Sequence, residues 1–271
     1  MRPGEVVARA GAAGLAGVAL TDHDTTAGWE EARAAGVVHG VRVYGGIELS
    51  TEVNGRSVHV LGYGFDPAAP ALVAELTRLS GERTRRAKAM LARLADCGID
   101  LDFAAVQARA NGAAIARPHL AEALVDAGVV ADTREAFDRY LADGARAYEP
   151  KRALDPVDGV ALIRASGGVA VLAHPGIDRG VEGQPVTVDL LDRLSDAGLA
   201  GVEADHPGHD TPTTDRWRAL ARDRELRTTG GSDFHGRYDD EMLGQRSTPI
   251  AQVEELLAAS WSVTVGQPEG M

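Results

Sequence analysis

The sequence predicts an α/β fold with a largely parallel sheet and a helical insertion, and three observations carry that expectation. From about residue 155 onward, short apolar runs alternate with helix-patterned segments, the order expected when helices pack on a parallel sheet. Two strand-like runs meet at Asn54-Gly55, a strong short-range hairpin signal. Between these regions, Pro70 to about Tyr140 is helical in pattern and rich in charge. With 271 residues, 44% hydrophobic and 25% charged, the chain has enough apolar material for a sizeable core.

Residues 3–13 read as a helix, with Pro3 suited to its first turn and Gly14 to its C-terminal end. The short apolar strand Gly17–Leu20 runs into "TDHDTTAG", where Thr25 or Thr26 is placed to cap a helix running towards Gly36. "VRVYGGIELSTEVNGRSVHVLGY", residues 41–63, gives the hairpin, and its turn sets Glu48 roughly opposite His59. The helical stretch breaks at Cys97-Gly98 and at Asn111-Gly112. Helices are then expected over 156–166, 187–197, 213–224 and 251–259, and strands over 168–173, 200–204, 226–230 and 261–265.

Forty acidic residues against 28 basic ones give a formal charge of −12, which argues against a broad footprint for duplex DNA or an anionic membrane. A small nucleotide or a strand end held by metals and a few arginines remains compatible. Cys97, the single cysteine, excludes an internal disulfide framework and a cysteine-rich zinc site. No apolar run is long enough to span a bilayer, and the N-terminus lacks a signal pattern, so a cytoplasmic location is expected.

The eight histidines are not scattered evenly. His23 in "VALTDHD", His174 in "VAVLAHP", His206 in "GVEADHP" and Asp233 with His235 in "TTGGSDFH" each follow a strand. In parallel α/β folds those C-terminal strand ends form the functional face. Each residue alone has an ordinary reading. A strand-end histidine is commonly a satisfied polar group, Asp22 or Asp24 would cap a helix, and Glu48 would pair with Arg42 or Arg56. Together they repel and are poorly solvated unless a cation holds them. Mixed imidazole and carboxylate ligands suit manganese, zinc or iron better than magnesium or calcium. His39 and His209 read as surface or loop residues.

The motifs "TDHDTTAG", "GGIELST", "HVLGYGFD", "ARPHLAEALV", "VLAHPG", "DHPGHD" and "GSDFHG" occur in the order seen in the PHP (polymerase and histidinol phosphatase) family. Across nearly the whole chain the sequence resembles the stand-alone metal-dependent phosphoesterase branch, which includes nucleoside 3′,5′-bisphosphate phosphatases and 5′–3′ exoribonucleases. That resemblance implies a distorted seven-stranded β/α barrel, TIM-like, from residues 1–65 and 151–271, with a helical cap over 66–150. It implies two or three divalent ions, manganese first, with zinc or iron as alternatives. Glu48 would bridge two ions, His59 and His174 would complete one of those sites, and Asp233 would bind the other ion. His23 and His235 would hold a third, Arg117 and His206 would contact the substrate phosphate, and His119 would position its loop.

One departure stands out. Family members open with a strand carrying His-x-His and then Ser-Asp-Gly, whereas this sequence opens with Met1-Arg2-Pro3-Gly4 where the following helix should begin, so the resemblance implies a barrel lacking its first strand and three of its metal ligands here. Either the recorded start lies later than the natural one, or the chain is a natural truncation with weak or no activity. The expected function is hydrolysis of phosphate esters of small nucleotides or of the 5′ ends of short RNA, since a metal pair supplies a nucleophile and offsets phosphate charge. His206 would bind the phosphate or protonate the leaving group. A non-catalytic nucleotide-binding protein and a metal-dependent amidohydrolase are the alternatives. Arg83, Arg85, Arg86 and Lys88 in "GERTRRAKAM" form either a solvated helix face or a guide for a polyanion.

Overall fold

Asn54 and Gly55 both take positive φ, 51° and 77°, as a two-residue turn matched to strand twist requires. The flanking residues pair antiparallel from Val53↔Arg56 out to Gly46↔Tyr63. The structure, a computed structural model, describes residues 1–110, 115–177, 186–236 and 242–261. Its strands are β1 (Gly17–Leu20), β2 (Arg42–Val53), β3 (Arg56–Tyr63), β4 (Val169–Leu172), β5 (Gly201–Asp205) and β6 (Arg227–Gly230). They form one sheet in sequence order. β1 is parallel to β2, and β4, β5 and β6 run parallel to one another. β3 is antiparallel to both its neighbours, so the sheet is mixed, because a tight hairpin reverses the chain where a helical crossover would not. The described residues thus contain six of the seven strands read along the sequence. The strand read at 261–265 falls outside them except for Trp261, which ends a helix.

The helices are α1 (Pro3–Ala12), α2 (Trp29–His39), α3 (Pro70–Asp96), α4 (Phe103–Ala110), α5 (Arg117–Asp126), α6 (Thr133–Ala136), α7 (Pro156–Ala165), α8 (Val188–Asp196), α9 (Thr211–Arg222) and α10 (Ile250–Trp261). A π-helical turn, Phe137–Leu141, continues α6. The break expected at Cys97-Gly98 ends α3, with Gly98 at φ 78°, while Asn111-Gly112 lies outside the described residues. Side-chain oxygens cap α7, α8 and α9: Asp155 accepts from Val157 N, Thr187 from Leu190 N and Asp210 from Thr213 N. α2 starts differently. Gly28 stands at its N-cap without a side-chain cap, correcting the expectation for Thr25 or Thr26. Packing sets this start instead: the Trp29 indole donates to Gly46 O at 3.0 Å, and its ring lies where a Cβ on Gly45 would be, 2.8 Å away.

The chain divides into two units, residues 1–73 with 154–271, and residues 74–153. The first holds the sheet. All four residues of β4 are buried, as befits a strand covered on both faces, and Ile47, Leu49, Val60 and Ile163 are buried as well. The second unit has its own core around Leu94, Val106, Leu120, Leu124 and Leu141. Among the described residues, no helix is long and apolar enough to cross a membrane.

Candidate metal centre

Every strand of the sheet delivers a polar side chain to the same place. His23 follows β1, Glu48 lies in β2 and His59 in β3, His174 follows β4, His206 follows β5, and Asp233 and His235 follow β6. In the hairpin, Glu48 pairs with Leu61 and His59 with Ser50. Glu48 and His59 are therefore diagonal rather than directly opposite, and the even offset keeps them on one face. The "TDHD" segment is stitched to β2 by backbone bonds, Glu48 N to Asp22 O at 3.2 Å and Asp24 N to Glu48 O at 3.1 Å. Asp24, at φ 55°, accepts from Ser50 N at 2.7 Å. It ties strand to loop instead of capping α2, contrary to its ordinary reading.

Glu48 sits at the centre. Its Oε1 lies 2.5 Å from His59 Nδ1 and 3.1 Å from His174 Nε2, and those nitrogens are 3.3 Å apart. Its Oε2 faces the other way, 3.6 Å from His23 Nδ1. Donor atoms bound at about 2.0–2.2 Å to a single ion stand about 3 Å apart, so the spacing on the Oε1 side is that of ligands around a shared cation. Two trios have all their ligand atoms within 4.8 Å of one another, His23–Glu48–His59 and Glu48–His174–Asp233, and Glu48 belongs to both. His235 stands further out, exposed, its ring 6.2 Å from that of His23 and its Nδ1 bonded to Asp233 O.

The electrostatics suit cation binding. Burial pulls the Glu48 carboxyl upward, but His59, His23 and His174 outweigh it and hold the pKa well below the usual range, so the group stays ionised. Burial pushes His59 down to about 3 against the pull of Glu48, leaving a neutral ring with a lone pair to offer. Its Nε2 lies 3.1 Å from Ser57 Oγ, the kind of outer contact that fixes a metal-ligating imidazole. For His174, burial acts downward but the hydrogen bond and charge of Glu48 win, and its pKa is raised. Asp233 is drawn upward by burial and, more strongly, downward by His206 and His235. A buried carboxylate ringed by imidazoles fits divalent cations of the imidazole-accepting kind.

Comparison with known proteins identifies the family. No family model matches the sequence. The chain is 37% identical over 236 residues to a 3′,5′-nucleoside bisphosphate phosphatase of Chromobacterium violaceum, a match covering 87% of the chain and 82% of that protein. The chain belongs to the PHP family of metal-dependent phosphoesterases. A 5′–3′ exoribonuclease of Haemophilus influenzae is 33% identical over 87% of the chain and 85% of its own length. A crystal structure from Bifidobacterium adolescentis, described as a metal-dependent phosphoesterase, superposes with a TM-score of 0.88 at 32% identity, covering 95% of this chain and 90% of that one.

In this PHP protein the remaining site residues divide by unit. His206 is buried, and its Nδ1 accepts from Gly208 N at 2.9 Å. A neutral ring must then carry its proton on Nε2. That atom lies 3.3 Å from Asp233 Oδ2 but has no well-aligned hydrogen-bond partner among the described residues. Arg117 opens α5 in the second unit, where it donates to Asp143 Oδ1 at 2.7 Å and Leu141 O at 3.2 Å. His119 is buried and accepts from Ala116 N at 3.0 Å, a local structural bond.

Three residues near the centre escape a reading by motif. His209, read as a surface or loop residue, lies in the loop after β5 but is buried: its Nδ1 donates to Ala204 O at 2.9 Å and its Nε2 accepts from Gly176 N at 3.0 Å, strapping the loop after His174 to the end of β5. Asp24 is the second. The third is Glu203 of β5, buried, whose Oε2 accepts from His174 N at 3.1 Å while His174 holds φ at 24°. Burial raises the Glu203 pKa. The only sequence signal for these was polar residues in strands or just past them.

Proposed function

We propose that the protein hydrolyses phosphate esters of small nucleotides, such as nucleoside 3′,5′-bisphosphates, or of the 5′ ends of short RNA. The observation that carries this reading is Glu48, one ionised carboxylate whose two oxygens face separate groups of imidazoles. Glu48, His59, His174 and Asp233, with His23 and His235 beside them, would hold two or three divalent ions, manganese by preference. Bound there, such ions supply Lewis acidity and a nucleophile near neutral pH. The same reading takes the six-stranded sheet as the wall of a distorted PHP barrel. The names of the relatives support the substrate class.

The chain's own residues have separable tasks. Glu48 fixes the spacing between its two groups of ligands. Neutral His59 offers a lone pair, and Ser57 and the hairpin fix its orientation. His206 presents Nε2–H as a donor to a phosphoryl oxygen. Because Gly208 N–H occupies Nδ1, surrendering the Nε2 proton would leave an imidazolate, so His206 binds phosphate rather than acting as the general acid. Arg117, on the strength of the family motif, contributes a guanidinium to phosphate. The test is phosphate release from adenosine 3′,5′-bisphosphate by the full chain, abolished by a chelator, restored by Mn²⁺ and lost in Glu48→Gln. Turnover that survives chelation would overturn the proposal.

A further inference from the structure

Among the described residues, β1 and β6 each have a strand on one side only, which leaves each with a row of backbone groups that no strand takes up. At β6 that row is covered by another means. Residues 242–249 run beside it, and two hydroxyls make the connection. Thr248 Oγ1 accepts from Gly230 N at 2.8 Å and donates to Gly230 O at 2.9 Å. One side chain thus satisfies both backbone groups that a neighbouring strand would otherwise pair. Ser232 works in the opposite direction: its Oγ donates to Arg246 O at 3.3 Å and accepts from Gly244 N at 2.8 Å.

These bonds fall directly beside a site residue. Asp233 follows Ser232 at φ 46°, a conformation rare for a residue with a side chain, and His235 Nδ1 closes the turn on Asp233 O at 2.8 Å. The carboxylate so presented belongs to the trio Glu48–His174–Asp233. From the β5 side, Gly231 N donates to Asp205 O at 3.2 Å, two residues short of Asp233. The strap 242–249 is itself held at both ends. A Cβ on Gly244 would stand 3.1 Å from Leu15, just ahead of β1. α10, which follows Pro249, pairs Glu254 with Arg42 at 2.9 Å and Glu255 with Arg227 at 2.7 Å. Exposed ion pairs of this kind contribute little, so the register of the strap against β6 rests on the four hydroxyl bonds.

We infer that Thr248 and Ser232 are positioning residues, whose hydroxyls hold the outer edge of β6 and with it the turn that aims Asp233 at Glu48 and His174. The effect on cation binding rests on the metal reading above; the hold on the turn rests on the hydrogen bonds of this chain alone.

Two measurements on the full chain test it. Thr248→Val keeps the shape and removes the hydroxyl, and Thr248→Ser keeps the hydroxyl. In chelator-treated protein, amide hydrogen exchange over residues 228–236, read by mass spectrometry, quickens about threefold to tenfold in Thr248→Val, stays at the wild-type rate in Thr248→Ser, and is unchanged over β2 and β3 in both. In Mn²⁺ titration followed by electron paramagnetic resonance, the ion bound through Asp233 weakens about threefold to tenfold in Thr248→Val, while the ion bound through His23 and His59 keeps its affinity. A fold merely loosened would weaken both. Ser232→Ala acts in the same direction as Thr248→Val and serves if that variant fails to fold. Wild-type exchange in Thr248→Val and Ser232→Ala, equal weakening of both ions, or a Thr248→Ser chain as impaired as Thr248→Val would each overturn the inference. Absence of Mn²⁺ binding by wild type would reject the metal reading instead, and exchange over 228–236 would still decide whether the hydroxyls hold the turn.

Discussion

Glu203 offers the sharpest test of how the fold builds the centre. His174 is a non-glycine residue at positive φ, a conformation that costs of order 1–3 kcal/mol unless its surroundings impose it. The bond from His174 N to Glu203 Oε2, 3.1 Å inside a closed environment, is the visible restraint. In Glu203→Ala that buried amide loses its acceptor, at a cost of about 1–3 kcal/mol. If the backbone relieves this by leaving positive φ, Nε2 swings away from Glu48 and the cost appears in cation affinity. At about 1.4 kcal/mol per tenfold, Mn²⁺ binding should weaken by about fivefold to 150-fold. Glu203→Gln retains an acceptor oxygen and should restore most of the loss. The assay is Mn²⁺ titration of the full chain by electron paramagnetic resonance, with circular dichroism confirming the fold. Wild-type affinity in Glu203→Ala, or a Gln variant as weak as the Ala variant, would refute the reasoning.

Three further outcomes are expected. His206→Asn should lower kcat/KM by about tenfold to a hundredfold through loss of a phosphate donor, without moving the alkaline limb of the pH–rate profile, and a displaced limb would mark a proton donor instead. Mn²⁺ affinity should be full above the raised pKa of His174 and fall by about tenfold per pH unit below it, because a proton on Nε2 competes with the ion; His59, titrating at about 3, contributes nothing near neutrality, and affinity constant down to that range would contradict the assignment. Gly45→Ala forces a methyl against the Trp29 ring and should destabilise the fold by about 1–3 kcal/mol in chemical denaturation, whereas Gly55→Asn at the open turn should cost less.

What the sequence disclosed was whatever a short segment decides for itself. The Asn54-Gly55 turn, the helix read over 156–166 and an imidazole placed just beyond an apolar run are local signals, and each led to the observed element. Glu203, His209 and Asp24 were opaque because their partners are 29, 33 and 26 residues away in the chain, and only sheet pairing brings them together. The start of α2 was misread for a related reason, since an indole docked on Gly46 O overrode two good capping residues.

The hairpin makes loop length a chemical variable. Side chains along a strand alternate sides, so one residue added at Asn54-Gly55, if the ladder absorbs it by sliding one arm, would send the carboxylate and its first imidazole to opposite surfaces of the sheet. The polypeptide would remain folded yet lose its cation site, which makes a two-residue turn a condition for assembling the centre.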